Sequence, residues 1–243
     1  DTGICNWPSH MGSLSYGYAN YSGGRQISLK LYKEIDDADI RKQWWLDAAA
    51  ESDGFLSDEQ AAFVAKQGYK PYTQVKFGPY NDVVGTTINA NDIVLMRIEE
   101  MYLIEAEAVG VSQGVAAGVA KLNAFMQGYR QPDYNCTLTD LREFQLEVLK
   151  QMRIEFWGEG NAFPTAKRLK PGVIQNYEGT NVPVDTYKIN CQGIKPNWNL
   201  VIPIDEIDSN VALQGMNNPD PSNAIPSRPT PIGEYAPGNV AGN

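Results

Sequence analysis

Apolar side chains recur every three to four residues through the middle of the chain, which is the period of an α-helix. The pattern predicts four helices, over residues 92–109, 115–127, 139–157 and 162–169. On the first of them, Leu95, Ile98, Tyr102 and Ala106 are expected to face inward, with Asp92 as the N-terminal cap. No single helix buries its apolar face alone, so we expect two stacked helical hairpins, each made of consecutive helices.

The flanking regions carry other patterns. Residues 1–26 are rich in Gly, Ser, Asn and Tyr and predict loop with short strands. Residues 27–46 begin with alternating apolar and polar positions and then become helical, and residues 69–80 predict a strand. Ser57 and Gln60 form a possible capping box before a short helix. Gly, Pro and Asn dominate after Pro171, and residues 215–243 predict an irregular tail.

Length and charge bound the possible functions. The chain of 243 residues fits one large domain or two small ones, and its 42% of hydrophobic residues is enough for a core. The net charge of −9 repels phosphate backbones, so nucleic acid is not an expected partner. No apolar run approaches the roughly 20 residues of a membrane-spanning helix, and no basic amphipathic stretch indicates binding to an anionic membrane.

The three cysteines are Cys5, Cys136 and Cys191, an odd number without any Cys-x-x-Cys pair. Two interpretations stay open. Either all are free thiols, or Cys136 and Cys191 form a bridge in an exported protein.

Candidate catalytic groups are few. His10 is the only histidine, and we expect it to be an ordinary loop residue. No His/Cys metal cluster, Ser-His-Asp set or cofactor motif occurs in the sequence, so no metal or cofactor is expected. Carboxylate pairs remain, since glycosidases use two carboxylates. Glu155 with Glu159 is one such pair, and Glu100 with Glu105 or Glu107 is another, but helix-surface ion pairs explain both more simply.

Aromatic side chains are the stronger candidates for binding. Tyr and Trp combine a flat apolar ring with a polar group, which suits stacking against sugar rings. A glycine-rich loop near the N-terminus carries Trp7, Tyr16, Tyr18, Asn20 and Tyr21, and we predict these as ligand-binding residues. The alternative is that they fasten the loop to the core. In contrast, Trp44, Trp45 and Trp157 are expected in the core.

Three motifs occur in order along residues 27–213. The first matches at Asn91, Asp92, Arg97, Glu100, Tyr102, Leu103, Ala106, Glu107 and Ala108. The second matches at Arg153, Glu155, Glu159, Gly160, Phe163, Lys167 and Arg168, with departures at Gln151, Met152, Pro164 and Thr165. The third matches at Ile202, Pro203, Glu206, Ile207 and Asn210. Together they resemble the C-terminal part of the SusD/RagB family of nutrient-binding lipoproteins on Bacteroidetes outer membranes.

The resemblance implies a mostly α fold of tetratricopeptide-type helical hairpins with long irregular loops and minor strands. It implies one domain over residues 1–243, with a repeat core over about 92–170, in a chain that is a C-terminal part of the family fold or a short member. The implied function is the capture of oligosaccharide or polysaccharide, such as starch, at the cell surface. The ligand then passes to a SusC-like TonB-dependent transporter, and a lipid anchor holds the full-length protein at the outer membrane.

The motif residues themselves belong to the family's scaffold, so the resemblance implies the function class and not the site. It implies no catalytic residue. Two alternatives stay open: a helical carbohydrate-active hydrolase that uses a carboxylate pair, and a helical-repeat scaffold for protein partners.

Overall fold

The computed structural model describes residues 5–184, 188, 190–191, 193 and 201–217. The fold is mostly helical, as the apolar period predicts. The chain divides into two compact units, Asp1–Ala162 and Phe163–Asn243. The helices are α1 Trp7–Met11, α2 Tyr18–Tyr21, α3 Leu29–Lys33, α4 Asp58–Gln67, α5 Ile98–Gln113, α6 Val115–Tyr129, α7 Leu141–Glu155, α8 Ala162–Leu169 and α9 Ile204–Ser209. Short 3₁₀ turns cover Ile40–Trp44, Tyr80–Asp82 and Val211–Leu213, and the strands are β1 Val173–Ile174 and β2 Asn190–Cys191.

Helices α5 and α6 form the first predicted hairpin. Gly114, at φ +103°, makes the turn between them. A Cβ on Gly118 would lie 2.6 Å from the Cα of Gly110, so a glycine is needed where the two helices approach. The predicted end of the first helix at residue 109 is wrong, because α5 continues through Gly110 to Gln113.

Helix α7 packs across this hairpin and completes the main core. Asp140 caps it by accepting a hydrogen bond from the Glu143 N–H at 2.9 Å. The core cluster joins the three helices through Leu103, Ala106, Leu122, Phe125, Met126, Cys136, Phe144, Val148, Met152 and Phe156. In the sequence, helical spacing predicts an apolar face of Leu141, Phe144, Val148, Met152 and Phe156 on this helix; all of these are buried except Leu141, which is exposed. The second predicted hairpin, α7 with α8, crosses the boundary between the two units and stays a prediction.

The start of α5 differs from the sequence prediction. The helix begins at Ile98 rather than at residue 92, because Arg97 is extended at φ −133° and ψ 153°. Leu95, Ile98 and Tyr102, which were expected to face inward, are exposed. The buried face of α5 instead carries Leu103, Ala106, Glu107 and Gly110. Ion pairs of Arg97, described below, hold the chain extended and override the helical pattern.

The N-terminal region is more helical than its composition predicts. The expected loop holds α1 and α2, with the Asn6 side chain capping α1 at the Ser9 N–H, 2.9 Å away. The alternating stretch at residues 27–33 contains α3 rather than a strand. Residues 69–80 make only isolated bridges, Gln26 with Thr73 and Trp45 with Gln74. The capping box of Ser57 and Gln60 is present at the start of α4.

A glycine turn follows α7 and brings the chain against the N-terminal region. Gly158 has φ +80°, and a Cβ there would lie 2.6 Å from the Met11 side chain and 3.0 Å from Phe77. Trp45 is buried nearby. Its ring is nearly perpendicular to that of Trp157, and the two ring centres are 6.0 Å apart. Trp44 and Trp157 are partly buried on the same cluster, so the core assignment of the three tryptophans is confirmed.

In the second unit, β1 and β2 pair antiparallel, with Val173 opposite Cys191, and α9 follows Pro203. Cys5 is an exposed free thiol and Cys136 a buried free thiol, so the alternative with a bridge at Cys136 is wrong. The predicted irregular tail lies outside the described residues beyond position 217. Within the described part of the chain, no helix has the length and apolarity needed to cross a bilayer.

Candidate functional site

A cluster of opposite charges lies where α5, α6 and α7 meet the N-terminal region. Four cations and four anions interact in it: Arg41, Lys76, Arg97, Arg130, Asp39, Glu99, Glu155 and Glu159. We call these eight residues the ion-pair cluster. The cluster spans residues 39–159. The pairs Asp39–Arg41 and Arg97–Glu99 are local in sequence, and every other pair joins distant residues and depends on the tertiary fold.

Glu155, the last residue of α7, is at the centre of the ion-pair cluster, and its side chain is fully buried. The Arg130 guanidinium donates to both of its carboxylate oxygens, at 2.8 and 2.9 Å. Arg97 donates to it at 2.9 Å and Arg41 at 3.3 Å. Three guanidiniums therefore surround one carboxylate. Such charge-assisted and bidentate hydrogen bonds are the strongest that side chains make.

Arg97 joins Glu155 to the glycine turn. Its Nε donates to Glu159 at 2.8 Å, and its Nη2 donates to Glu159 at 3.0 Å and to the Glu155 carbonyl at 2.8 Å. Lys76 also pairs with Glu159 and donates to the Glu155 carbonyl at 2.8 Å. Arg41 is fully buried and is held by Asp39 and Gln151.

The charges keep Glu155 ionised. Burial alone would raise its pKa, but the hydrogen bonds and charge of Arg130, with Arg41 and Arg97, lower it to about 2. For Arg97, burial alone would lower the pKa, because it disfavours the charged guanidinium. Hydrogen bonds to Glu159 and Glu155 outweigh the effect of burial and raise the pKa of Arg97. A carboxylate this stable in its charged form is a poor general acid near neutral pH.

The second carboxylate set is also engaged in contacts. Glu100 accepts a hydrogen bond from Asn161 at 3.1 Å, and Glu105 pairs with Lys121 at 2.7 Å on the surface. Glu107 accepts from Gln145 at 2.9 Å. These contacts give the second set a structural role. The expectation of helix-surface ion pairs is wrong for Glu155, because its side chain is fully buried in the ion-pair cluster.

The five predicted ligand-binding residues occupy α1, α2 and the turn between them. Trp7 lies edge-on against Phe77 at 4.9 Å, and the Asn20 amide donates to Gln67 at 2.7 Å. Tyr16 packs against Phe63 at 5.3 Å. The contacts of Trp7, Tyr16 and Asn20 thus help to hold the N-terminal region in place, as the alternative interpretation expects.

Tyr18 and Tyr21 are more exposed. Tyr18 stacks on His10 at 4.3 Å, and the Arg25 guanidinium lies 5.5 Å from its ring centre. His10 is therefore a helical residue of α1 rather than a loop residue. The Tyr21 side chain is 79% exposed, more than any other ring in the described residues. The rings contact different neighbours, so the five residues form an open surface and not one enclosed pocket.

A cavity of about 540 Å³ was missed by the sequence reasoning. Its walls come from three separate segments: Glu34, Ile35, Asp36, Asp39, Gln131, Asp133, Tyr134, Asn135, Cys136, Thr137, Leu138, Glu147, Lys150, Gln151 and Ile154. The Tyr134 hydroxyl donates to Glu147 at 2.7 Å across it. No local motif could have found it, because the lining is assembled only by the tertiary fold.

A smaller cavity of about 170 Å³ lies beside Trp7, with Phe77, Lys76, Asp92 and Val94 in its walls. Among the residues that the structure describes, no group of three or more His, Cys, Asp or Glu side chains is arranged to hold a metal ion. Compared with family models, curated proteins and solved structures, the chain matches none of them.

Proposed function

We propose that this chain is the glycan-binding part of a SusD/RagB-type cell-surface protein. It captures oligosaccharide or polysaccharide and passes it to a SusC-like TonB-dependent transporter in the outer membrane. A lipid anchor holds the full-length protein there, and its helices form hairpins of the tetratricopeptide type. Capture and transfer require binding and no turnover of the glycan.

The observation that supports the proposal is that residues of the first and second motifs, which are distant in sequence, contact each other in the structure. Arg97 of the first motif donates to Glu155 and Glu159 of the second, which lie about sixty residues away. The resemblance assigns these residues to a shared scaffold, and a buried network with every charge paired is what a scaffold position needs. The motifs therefore have a structural reason to occur together.

Binding rather than hydrolysis is supported by the state of the carboxylates. Glycosidases need one carboxyl group that is protonated before catalysis. Glu155 has a pKa of about 2 and lies behind three guanidiniums, and Glu159 is held by Arg97 and Lys76. Glu155 is therefore a poor proton donor to a sugar, and both carboxylates are engaged in ion pairs. A hydrolysis assay on the same polysaccharides tests this: product formation that Glu159→Gln abolishes would contradict it.

The tyrosines of α2 and the preceding turn offer the stacking surface. Tyr16, Tyr18 and Tyr21 expose their rings within six residues of one another. A pair of aromatic rings contributes roughly 0.5–1.5 kcal/mol beyond simple burial, and we use the same scale for a tyrosine ring that stacks on a sugar. We therefore expect Tyr16→Ala and Tyr18→Ala each to weaken glycan binding by about 1 kcal/mol.

The test is a polysaccharide array followed by calorimetric titration of the best oligosaccharide. Tyr129→Ala is the matched control, because Tyr129 is a half-exposed tyrosine at the end of α6. Binding that is reduced by the α2 variants and unchanged by the control supports the proposal. Equal affinity in all variants, or loss of stability instead of affinity, would contradict this site.

The cavity of about 540 Å³ is the competing location for the same ligand class. Its volume falls within the roughly 300–1,000 Å³ of small-molecule sites. Asn135 and Asp133 are exposed at its wall and could bind hydroxyl groups. Asn135→Ala in the same titration separates the two locations: a loss of binding there, with silent tyrosine variants, would move the site to the cavity.

A further inference from the structure

The segment between Asn91 and Arg97 has no regular secondary structure and is fixed at both ends. The Asn91 side-chain amide donates to the Gly78 carbonyl at 3.2 Å. Six residues later, Arg97 is held by Glu155 and Glu159. The five residues between, Asp92–Met96, form no helix and no strand. We call Asp92–Met96 the exposed segment.

The exposed segment presents hydrocarbon to solvent. Ile93, Val94, Leu95 and Met96 are consecutive, and all four are exposed, with Leu95 reaching 81%. Ile98 and Met101 on the first turn of α5 continue the apolar surface. Single exposed apolar residues are ordinary, but a contiguous group of this kind marks an interaction surface.

The main chain of the exposed segment is also unpaired. Within the described part of the chain, no protein group hydrogen-bonds to a backbone N–H or C=O of residues 92–96. A segment with free main-chain donors and acceptors shares this property with the edge strand of a sheet. Such an edge accepts another strand through regular main-chain hydrogen bonds, while neighbouring pockets select its side chains.

A pocket of suitable size lies at the start of the segment. Val94 and Asp92 line the cavity of about 170 Å³ together with Trp7 and Phe77. It is smaller than the roughly 300–1,000 Å³ of typical small-molecule sites. Its aromatic walls suit one apolar side chain better than a sugar unit with its many hydroxyl groups.

We propose that the exposed segment is a docking edge for an extended strand of a separate partner protein. The partner strand carries apolar side chains, one of which enters the Trp7–Phe77 pocket, and is flanked by Lys or Arg. The proposal goes beyond glycan capture and does not rest on it, because aliphatic side chains cannot bind sugar hydroxyls.

Charge selects the partner. Asp92 is exposed at one end of the segment, and among the described residues it has no ion-pair partner. Glu100 lies in the first turn of α5 beside Met101. Basic flanks on the partner complement these carboxylates. A second copy of this chain does not, because two chains of net charge −9 repel each other.

The first experiment selects strands without assuming their sequence. A phage library of random linear peptides is panned on the immobilised chain, after removal of phage that bind a Leu95→Pro variant. Proline at position 95 removes one backbone N–H that a partner strand would use. The substitution breaks no internal hydrogen bond of the described residues, because this N–H has no partner among them. We expect enriched peptides with alternating apolar residues and basic flanks. No enrichment over the Leu95→Pro variant would overturn the proposal.

The second experiment tests the mode of binding by fluorescence anisotropy. A selected peptide is compared with a copy N-methylated at alternate residues along its pairing edge. Loss of several main-chain hydrogen bonds should weaken binding by about tenfold or more. A copy with Glu in place of its Lys and Arg residues should also bind more weakly. Equal affinity of the N-methylated copy would overturn strand pairing.

Matched protein variants locate the surface. Leu95→Asn should weaken binding of the selected peptide about tenfold, since it removes a large apolar contact. Val111→Asn is the control, because Val111 is exposed on α5 away from the segment. Circular dichroism and thermal unfolding establish that both variants fold. Sedimentation completes the test: a dimer that Leu95→Asn dissociates would assign the surface to a second copy and overturn the proposal.

Discussion

Two regions that meet at Arg97 reverse the usual distribution of residues. On one side, the ion-pair cluster buries charges that proteins normally expose, with Arg41 and Glu155 fully buried. On the other side, Ile93–Met96 expose hydrocarbon that proteins normally bury. The charges of the cluster are paired, whereas the exposed segment leaves much of its apolar surface open and its main chain forms no hydrogen bond within the described residues. The comparison separates a contact that the fold completes from one that it leaves for a partner.

The largest effect is expected when the ion-pair cluster loses its central charge. Glu155→Gln keeps the shape but leaves Arg41, Arg97 and Arg130 with one anion fewer. Removing one member of a buried ion pair costs about 3–5 kcal/mol, because the remaining charge is uncompensated. We expect a loss of that size in the free energy of unfolding, measured with urea.

The control for this variant is Glu105→Gln, whose side chain is about half exposed and pairs with Lys121. A surface pair contributes about 0–1 kcal/mol, so this change should be nearly silent. Comparable losses in both variants would mean that burial does not distinguish the two pairs.

Lowering the pH tests the ion-pair cluster without a mutation. The pKa of Glu155 is about 2 in the folded chain, against 4.5 for an unperturbed glutamate. Its contribution to stability is therefore complete above about pH 4.5 and is lost as the pH falls toward about 2, worth about 3 kcal/mol in total. Between these values the unfolded chain binds more protons, so stability rises with pH.

Urea unfolding at several acidic pH values measures this slope. Glu147 also contributes to this slope, because Lys150 lowers its pKa against the effect of burial. Its contribution is the same in the wild type and in Glu155→Gln. The difference between the wild type and Glu155→Gln isolates the Glu155 contribution. Identical slopes in the two proteins would contradict the assignment.

A smaller effect is expected at the glycine turn that directs Glu159 to Arg97 and Lys76. Gly158→Ala adds a Cβ at φ +80°, only 2.6 Å from Met11 and 3.0 Å from Phe77. The left-handed conformation alone costs about 1–2 kcal/mol for a non-glycine residue. The contact adds to this cost, so we expect a loss of about 2 kcal/mol or more.

Gly160→Ala is the matched control, because Gly160 has φ +88° but nothing within 4 Å of its Cβ position. Gly160→Ala should lose only the free energy that the left-handed backbone conformation costs a non-glycine residue. Thermal unfolding of both variants gives the contact term as their difference, and a larger loss at Gly160 would contradict the packing at Gly158.

The ion-pair cluster also shows where sequence reasoning stops. The apolar period of α7 and its cap at Asp140 are local, so both could be predicted. The start of α5 was mispredicted because Ile93–Met96 fit a helical period, while the ion pairs of Arg97 hold the chain extended. The resemblance grouped Arg97, Glu155 and Glu159 as scaffold, but Arg41, Lys76 and Arg130 belong to no motif. Their part depends on long-range geometry that one sequence does not display.

The candidate binding surfaces divide in the same way. The aromatic composition of residues 7–21 drew attention to Trp7 and the tyrosines, and the structure places those rings on short helices rather than in a loop. The cavity of about 540 Å³ and the exposed segment gave no sequence signal of their own. The exposed segment was hidden by its own hydrophobicity, since a run of aliphatic residues predicts burial.

The smallest stability effect is expected in the exposed segment, and it completes the comparison. Leu95→Asn removes an 81% exposed leucine that packs against little, so its free energy of unfolding should change by no more than about 0.5 kcal/mol. Solubility should rise instead, because less hydrocarbon faces water. Urea unfolding beside a concentration-dependent light-scattering measurement checks both expectations. A loss of about 2 kcal/mol would mean that Leu95 is packed within this chain, and the contrast with Glu155 would then fail.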